Sequence, residues 1–289
     1  MKFGTLYAYW THDWVADYFA IADKCKKAGF DVMEIGAAHL LDMSDTEIEK
    51  LRDYCKELGL EISCNLGPPK SKDISSKDPA VRAAGVKFLT DILHQMKKLG
   101  SKVLIGAYFN YWPHDFVDVD KEAMWERSVT EMKKVATVAD ELGIDLCLEV
   151  LNRFETPLIN DCDEGIKYCK DVGHKSCKLL LDTFHMNIEE DDLPAAFRKA
   201  GSLLGHVHVG ESNRKVPGMG HLPWAEMGKA LRDIGYDGYV VMEPFMKPGG
   251  AVAADIKVYR DLSNNADEET MDKYIADSLV FLKKNFLGC

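Results

Sequence analysis

A glycine followed by a short apolar run recurs along the chain, and each glycine closes an amphipathic stretch. Glycine takes the left-handed conformation at which helices commonly end, so the pattern predicts a helix and then a strand at each point. The glycines are Gly29, Gly59, Gly100, Gly143, Gly173, Gly201 and Gly235. With one further run at the start, the strands are predicted over 3–9, 32–36, 60–67, 102–108, 144–151, 177–182, 204–210 and 238–244.

Capping signals mark the starts of several helices. Ser44 and Asp161 are each followed three residues later by a glutamate, the spacing of a capping box. Asp78 precedes a proline, which is favoured at the first position of a helix. Helices are predicted over 14–28, 44–58, 79–99, 121–142, 162–172, 191–200, 223–234 and 267–286.

The alternation of strand and helix decides between two α/β architectures. It predicts parallel strands joined by right-handed crossovers. Eight such units within 289 residues are the number found in a closed (β/α)8 TIM barrel. An open doubly wound sheet would carry a GxGxxG motif after its first strand, and none occurs there. Because no linker rich in proline, glycine and serine interrupts the pattern, a single barrel domain is predicted over 1–289.

The composition limits the kinds of molecule that the protein is expected to bind. The chain has 47 acidic and 36 basic residues and a formal net charge of −11. Nucleic-acid binding needs clustered lysine and arginine, so a small neutral or cationic substrate is predicted instead. No apolar run of about 18 residues indicates a membrane span, and the first residues lack the features of a signal peptide. The eight cysteines include no CxxC pair and are predicted to be reduced thiols of a cytoplasmic protein.

Four consecutive predicted strands each carry one potential metal ligand near the C-terminal end. These residues are Glu149, Asp182, His208 and Glu243. The C-terminal strand ends form the active site of a TIM barrel, so the four side chains are expected to converge. Three carboxylates buried together without a cation would be costly, and the oxygen-rich set suits Mn²⁺, Mg²⁺ or Co²⁺ better than structural zinc. His206 shares a strand face with His208 and is expected to be a hydrogen-bonded structural group in a deeper layer.

Four segments around these residues are long and distinctive, namely LEVLNRFE (148–155), LLDTFHMNIEED (180–191), GHVHVGESNR (205–214) and VMEPF (241–245). They resemble the D-tagatose 3-epimerase / D-psicose (D-allulose) 3-epimerase family. The resemblance runs over essentially the whole chain. It implies a xylose-isomerase-like TIM barrel that inverts carbon 3 of free ketohexoses, interconverting D-fructose with D-psicose or D-tagatose with D-sorbose.

The resemblance also implies roles for individual residues. Glu149 and Glu243 would be both metal ligands and the catalytic acid and base, with Asp182 and His208 completing the ligand set. One divalent ion per subunit is implied, Mn²⁺ or Co²⁺ with Mg²⁺ as an alternative, in a homodimer or homotetramer. Contacts to sugar oxygens are implied for Glu155, His185 and Arg214. An apolar pocket wall is implied for Leu6, Trp14, Asn65, Ala107, Trp112 and Phe245.

These residue types suit an epimerisation. The hydrogen on carbon 3 of a ketose is weakly acidic because it is alpha to the carbonyl at carbon 2. A metal ion would stabilise the enediolate that forms on deprotonation, while a base on one face and an acid on the other would invert the centre. Leu6, Asn65 and residues 108–110 depart from the family pattern at the end of the pocket away from the metal, which leaves the preferred ketose open.

Other functions remain open on the sequence alone. An L-ribulose 3-epimerase would use the same residues, whereas a xylose-isomerase-like aldose–ketose isomerase needs only one base. A sugar-phosphate epimerase could bind its phosphate at Arg214 and Lys215. A metal-dependent endonuclease on the same barrel is disfavoured by the charge of −11, and a non-catalytic sugar-binding protein would not need two opposed glutamates.

Overall fold

Eight parallel strands close into a barrel in chain order in a computed structural model that describes residues 1–288. The strands are β1 (Lys2–Leu6), β2 (Val32–Gly36), β3 (Glu61–Asn65), β4 (Val103–Gly106), β5 (Asp145–Val150), β6 (Cys177–Asp182), β7 (Leu204–Val209) and β8 (Tyr239–Met242). Strand β8 pairs with β1 and completes the ring. The closed barrel confirms the predicted (β/α)8 fold, and the open doubly wound sheet is excluded.

Helices surround the barrel and connect its strands. They are α1 (Tyr18–Ala28), α2 (Asp45–Leu58), α3 (Pro79–Leu99), α4 (Lys121–Leu142), α5 (Cys162–Val172), α6 (Thr183–Glu189), α7 (Leu193–Ala200), α8 (Trp224–Asp233), α9 (Gly250–Asp255) and α10 (Glu268–Leu287). Helices α6 and α9 were not predicted. Both are short and lie in loops at the C-terminal ends of the strands, where local sequence carries little helical periodicity.

Most of the predicted caps form, with one difference in detail. The backbone N–H of Ser44 donates to Glu47 Oε2 at 2.7 Å, and Glu47 N–H donates back to Ser44 Oγ at 3.3 Å. Asp161 accepts a bond from the N–H of Glu164 at 2.8 Å, but the Glu164 carboxylate bonds the N–H of Asn160 instead. The predicted capping box at Asp161 is therefore only half formed.

Several predicted boundaries were wrong, and those of β1 and α1 differ most. Strand β1 ends at Leu6 because Tyr7–Tyr9 form a 3₁₀ turn. Helix α1 begins at Tyr18 because the Asp17 side chain caps it, accepting bonds from two backbone N–H groups. Gly201 was expected in the left-handed helical region, but it has φ 52° and ψ −127° and is the first residue of a 3₁₀ turn. The order of the eight strands in the barrel is unaffected.

The barrel interior is filled in layers. Side chains alternate along a strand, so Glu149 and Asp182, near the C-terminal ends of β5 and β6, face the barrel axis. Cys147 and Leu180 lie two positions earlier on the same strands and form a small apolar cluster with Ile105 beneath them. This apolar cluster lies beneath the polar groups at the C-terminal rim.

The described cysteines are all free and buried, as predicted for reduced thiols. Cys289 lies outside the described residues. Burial raises the pKa of Cys55 to about 11 and that of Cys64 to about 12, so these thiols stay protonated and pack as small apolar groups. Among the helices within residues 1–288, none combines the length and apolarity that crossing a membrane requires.

Candidate functional site

The four predicted metal ligands meet at the C-terminal rim of the barrel. Glu149 lies in β5, Asp182 ends β6, His208 lies in β7 and Glu243 directly follows β8. His208 Nδ1 is 3.5 Å from Glu149 Oε1, 3.5 Å from Glu243 Oε1 and 3.8 Å from Asp182 Oδ2. One ligand atom from each residue lies within 4.8 Å of the other three, and all four residues are buried. They form a cluster that can hold a metal ion.

The chemistry of the cluster fits a hard divalent cation. Within residues 1–288, neither Asp182 Oδ2 nor His208 Nδ1 has a hydrogen-bond partner, although both atoms are buried. A buried polar atom without a partner is destabilising, and one cation between these atoms would bind both. Three carboxylates and one imidazole, without a thiolate, match the oxygen-rich ligand sets of Mn²⁺, Mg²⁺ and related ions.

The pKa shifts in the cluster also favour a bound cation. Burial, together with the negative charges of Glu243 and Asp182, raises the pKa of Glu149 to about 8. Burial alone would lower the pKa of His208, but the carboxylates of Glu34 and Glu243 raise it well above its usual value. The cluster without a cation therefore retains protons near neutral pH. A divalent ion would displace them and neutralise the like charges.

A fifth buried polar residue, Glu34 in β2, contacts the cluster and was missed in the sequence. Its Oε1 lies 2.8 Å from His208 Nε2, and its Oε2 accepts a bond from Ser63 Oγ at 2.8 Å. Burial would raise the pKa of Glu34, but His208 and His206 outweigh this effect and lower it. The signal was a lone carboxylate within the apolar run 32–36, and it was overlooked because Glu34 stands in mid-strand.

His206 occupies the deeper layer in which it was expected. It is fully buried on the same strand face as His208, and its ring lies 5.2 Å from that of His208. Within residues 1–288, neither ring nitrogen has a partner of strict hydrogen-bond geometry, but the Glu34 carboxylate comes close enough to act on the ring. Its Nε2 lies 3.3 Å from Glu34 Oε2, and burial lowers the pKa of His206. A neutral imidazole therefore fills this layer.

Arg214 lies directly beside the cluster, as its predicted role requires. Its Nη2 donates to Glu155 Oε1 at 3.1 Å, and its Nη1 is 3.6 Å from Glu243 Oε2. The guanidinium carbon lies 3.6 Å from the ring centre of Phe184, so the group is stacked as well as ion-paired. Trp112 Nε1 donates to the second oxygen of Glu155 at 3.2 Å. These contacts fix the guanidinium in one orientation at the cavity wall.

His185 faces the cluster from the start of α6. The backbone N–H of Asn152 donates to His185 Nδ1 at 3.2 Å, so Nδ1 is the acceptor nitrogen and Nε2 carries the hydrogen in the neutral ring. Nε2 lies 3.9 Å from Glu149 Oε1. Burial lowers the pKa of His185, which favours this neutral form. Asn152 also bonds Glu155 Oε1 at 3.3 Å and was not singled out in the sequence.

A cavity of about 260 Å³ opens above the cluster. Glu149, Glu155, His185, Arg214 and Glu243 line it on one side. All six residues expected in the pocket wall also line it, namely Leu6, Trp14, Asn65, Ala107, Trp112 and Phe245. Further lining residues that were not predicted include Tyr7, His39, Asp255 and Ile256. The cavity thus combines one polar wall at the cluster with one mainly apolar wall.

Aromatic side chains give the apolar wall its shape. The rings of Trp14 and Trp112 meet edge to face with centroids 5.9 Å apart, and Phe245 lies 6.3 Å from Trp14. Trp14 Nε1 donates to Asp255 Oδ2 at 2.8 Å, which ties the loop after β1 to helix α9. Asn65 brings an amide into this wall, and its Nδ2 lies 3.5 Å from Glu243 Oε1.

Comparisons with known proteins extend over the whole barrel. Residues 22–262 match the family model described as xylose isomerase-like TIM barrel. The D-psicose 3-epimerase of Ruminiclostridium cellulolyticum is 49% identical over 282 residues, covering 97% of this chain and 96% of that protein. The D-psicose 3-epimerase of Agrobacterium fabrum is 48% identical, covering 97% and 98%. A crystal structure of D-psicose 3-epimerase with D-tagatose from Clostridium cellulolyticum matches with a TM-score of 0.98 and 48% identity, covering 99% of each chain.

Proposed function

The chain belongs to the xylose isomerase-like TIM barrel family and, within it, to the D-tagatose 3-epimerase / D-psicose 3-epimerase family, and we propose that it is a metal-dependent 3-epimerase of free ketohexoses. One observation carries the proposal. Glu149 and Glu243 approach the same nitrogen, His208 Nδ1, at 3.5 Å each, and both line the cavity. Two carboxylates thus face one small-molecule site from different strands.

Inversion at carbon 3 needs two proton-transfer groups. One group removes the hydrogen alpha to the carbonyl, and the other returns a proton to the opposite face. Glu149 comes from β5 and Glu243 from the end of β8, so the two carboxylates reach the cavity from separated parts of the rim. We assign the two roles to this pair, with the direction of the reaction deciding which acts as base. D-fructose/D-psicose and D-tagatose/D-sorbose are the proposed substrate pairs.

The remaining polar groups would hold the sugar and the ion. Glu149, Asp182, His208 and Glu243 would bind Mn²⁺ or Co²⁺, with Mg²⁺ as an alternative. When bound, the ion would supply Lewis-acid stabilisation of the negative charge that develops on the sugar oxygens. His185 Nε2–H faces the same cavity and is a donor for a sugar oxygen. The aromatic wall would cover the sugar's C–H surface and exclude water.

Isotope incorporation during turnover tests the proposed function. With Mn²⁺ and D-fructose in heavy water, we expect deuterium at carbon 3 and the appearance of D-psicose, both measured by NMR. Deuterium at carbon 1 with formation of an aldose would instead identify an aldose–ketose isomerase. Parallel reactions with D-tagatose and L-ribulose rank the free ketoses and test the L-ribulose 3-epimerase alternative. Preferred turnover of D-fructose 6-phosphate would identify a sugar-phosphate epimerase.

Replacing Arg214 with alanine should weaken substrate use. Within residues 1–288, its Nε and Nη1 have no hydrogen-bond partner although they are buried, so they are available donors for sugar oxygens. Hydrogen bonds to charged groups contribute about 1.5–3 kcal/mol, so kcat/KM for D-fructose should fall roughly 10- to 100-fold. The adjacent Lys215→Ala is the control and should stay within about 2-fold of the unmodified enzyme. Equal effects of both changes would contradict the role of Arg214.

Location and assembly are further proposals. The free state of the described cysteines supports a cytoplasmic location, because reducing compartments keep thiols unpaired. We also propose a homodimer or homotetramer, which rests on the family resemblance. The partner would be a small ketose, since the net charge of −11 disfavours nucleic acid.

A further inference from the structure

We propose that Glu34 is a positioning residue of the metal centre. Its carboxylate accepts a hydrogen bond from His208 Nε2–H and thereby directs the unprotonated Nδ1 toward the three carboxylates of the cluster. This inference rests on the proposed metal-dependent function. It adds a residue from a strand that does not neighbour β7, outside the four ligands and outside the sugar-contacting groups.

The Glu34 carboxylate is held in place by hydrogen bonds to two other strands. Strands β1 and β8 separate β2 from β7 in the ring, so the Glu34 side chain spans the barrel interior to reach His208. The Oε1–Nε2 distance is 2.8 Å, and both side chains are fully buried. Ser63, which stands opposite Glu34 in the β2–β3 register, donates to the other carboxylate oxygen at 2.8 Å. The carboxylate is thus fixed at both oxygens.

A second metal ion at this position fits the geometry less well. Glu34, His206 and His208 also have possible ligand atoms within 4.8 Å of one another. A neutral imidazole has only one unprotonated nitrogen. In His208 that nitrogen is Nδ1, which faces Glu149, Asp182 and Glu243, so Nε2 carries the hydrogen and cannot bind a second ion. Only Glu34 and His206 would remain, which is too few ligands for a protein metal site.

The arrangement has a clear physical consequence for ion binding. A histidine ligand binds a metal best when a hydrogen bond at its other nitrogen fixes the tautomer and the ring orientation, and a carboxylate partner also increases ligand basicity. No strand neighbour of β7 supplies this bond, because Glu34 belongs to β2. Without Glu34 the His208 ring would be free to choose the other tautomer, which places a hydrogen on Nδ1 and opposes the ion.

Ion affinity tests this role directly. Metal-stripped protein is titrated with Mn²⁺ by calorimetry for the unmodified chain, Glu34→Ala, Glu34→Gln and a control. Loss of such outer partners typically weakens metal binding about 10- to 100-fold, and we expect this for Glu34→Ala. The Mn²⁺ affinity of Glu34→Gln should lie between those of Glu34→Ala and the unmodified chain. Its amide oxygen can still accept a hydrogen bond from His208 Nε2–H but carries no charge. The control is Glu131→Gln in α4, a buried carboxylate paired with Arg82 at 3.2 Å, which should bind Mn²⁺ as the unmodified chain does.

The outcomes separate this inference from the proposed function. Both Glu34 variants binding Mn²⁺ within about 2-fold of the unmodified chain would overturn the positioning role while leaving the metal centre intact. An unmodified chain that binds neither Mn²⁺ nor Co²⁺ would overturn the proposed function as well. If Glu34→Ala does not fold by circular dichroism, the isosteric Glu34→Gln decides alone. A graded loss of Mn²⁺ affinity from the unmodified chain to Glu34→Gln to Glu34→Ala, with unchanged affinity in Glu131→Gln, supports the proposal. A general structural effect of replacing a buried carboxylate would weaken Mn²⁺ binding in Glu131→Gln as well.

Discussion

The Glu243→Gln enzyme is expected to lose roughly 10²- to 10⁴-fold in kcat for D-fructose epimerisation, the usual contribution of a positioned proton-transfer group. Glutamine has nearly the same volume and still offers an oxygen to a cation, but it cannot accept a proton. Its neighbours, Arg214 Nη1 at 3.6 Å and His208 Nδ1 at 3.5 Å, remain in place. The fold and the cavity should therefore persist, and circular dichroism and Mn²⁺ titration check this.

Isotope exchange distinguishes a proton-transfer role from a ligand role. Each glutamate is proposed to serve one face of carbon 3, so Glu243→Gln should still exchange the carbon 3 hydrogen of one epimer with heavy water. Glu149→Gln should exchange the hydrogen of the other epimer. Asp182→Asn is the matched control, because it changes a third carboxylate of the cluster that has no proposed proton-transfer role. It should reduce exchange of both epimers equally.

A symmetric loss of exchange in the two glutamate variants would contradict the proton-transfer roles. If Glu149→Gln and Glu243→Gln both reduce exchange symmetrically, in proportion to lost Mn²⁺ binding, then both residues act only as ligands. NMR of D-fructose and D-psicose incubated separately in heavy water gives the four exchange rates that decide this.

The architecture was predictable because its signals are local. The glycines Gly29, Gly59 and Gly100 have φ of 89°, 71° and 80°, and each ends its helix in the left-handed conformation that the sequence indicated. Rim positions follow from strand order, so the sequence alone places Glu149 and Asp182 at one end of the barrel. Signals of this kind depend only on residues near one another in the chain.

Contacts across the barrel were not predictable in the same way. Glu34 and His208 are 174 positions apart and belong to strands that are not neighbours. Their hydrogen bond depends on barrel width and side-chain length, which no local pattern encodes. Helix α6 was missed for a related reason, since Asp182 ends β6 and also caps the helix, accepting a bond from the N–H of Phe184 at 2.5 Å. The sequence indicated Asp182 only as the end of a strand and a metal ligand, and its second role as a helix cap left no separate signal.

Removing the metal ion is expected to abolish epimerisation and to destabilise the protein. Without a cation, the buried carboxylates of Glu149, Asp182 and Glu243 face one another around His208, and Asp182 Oδ2 has no hydrogen-bond partner within residues 1–288. An ion that binds only the folded state stabilises it by about 4.1 kcal/mol when present at about 1,000 times its Kd. An unfolding entropy of about 2.1 cal/mol/K per residue then converts this into a rise in Tm of about 7 °C for 289 residues.

Chelation followed by restoration of single ions measures both effects. Enzyme stripped with EDTA should show no epimerase activity and a Tm about 7 °C below that of the Mn²⁺-loaded enzyme. Activity and Tm should return together with Mn²⁺ or Co²⁺. Asp182→Asn, which replaces one charged ligand oxygen with an amide, should show a smaller rise in Tm at the same Mn²⁺ concentration. Stripped enzyme that keeps both its activity and its Tm would show that the four rim side chains function without an ion, and the proton transfers would then need stabilisation from Arg214 and His185 alone.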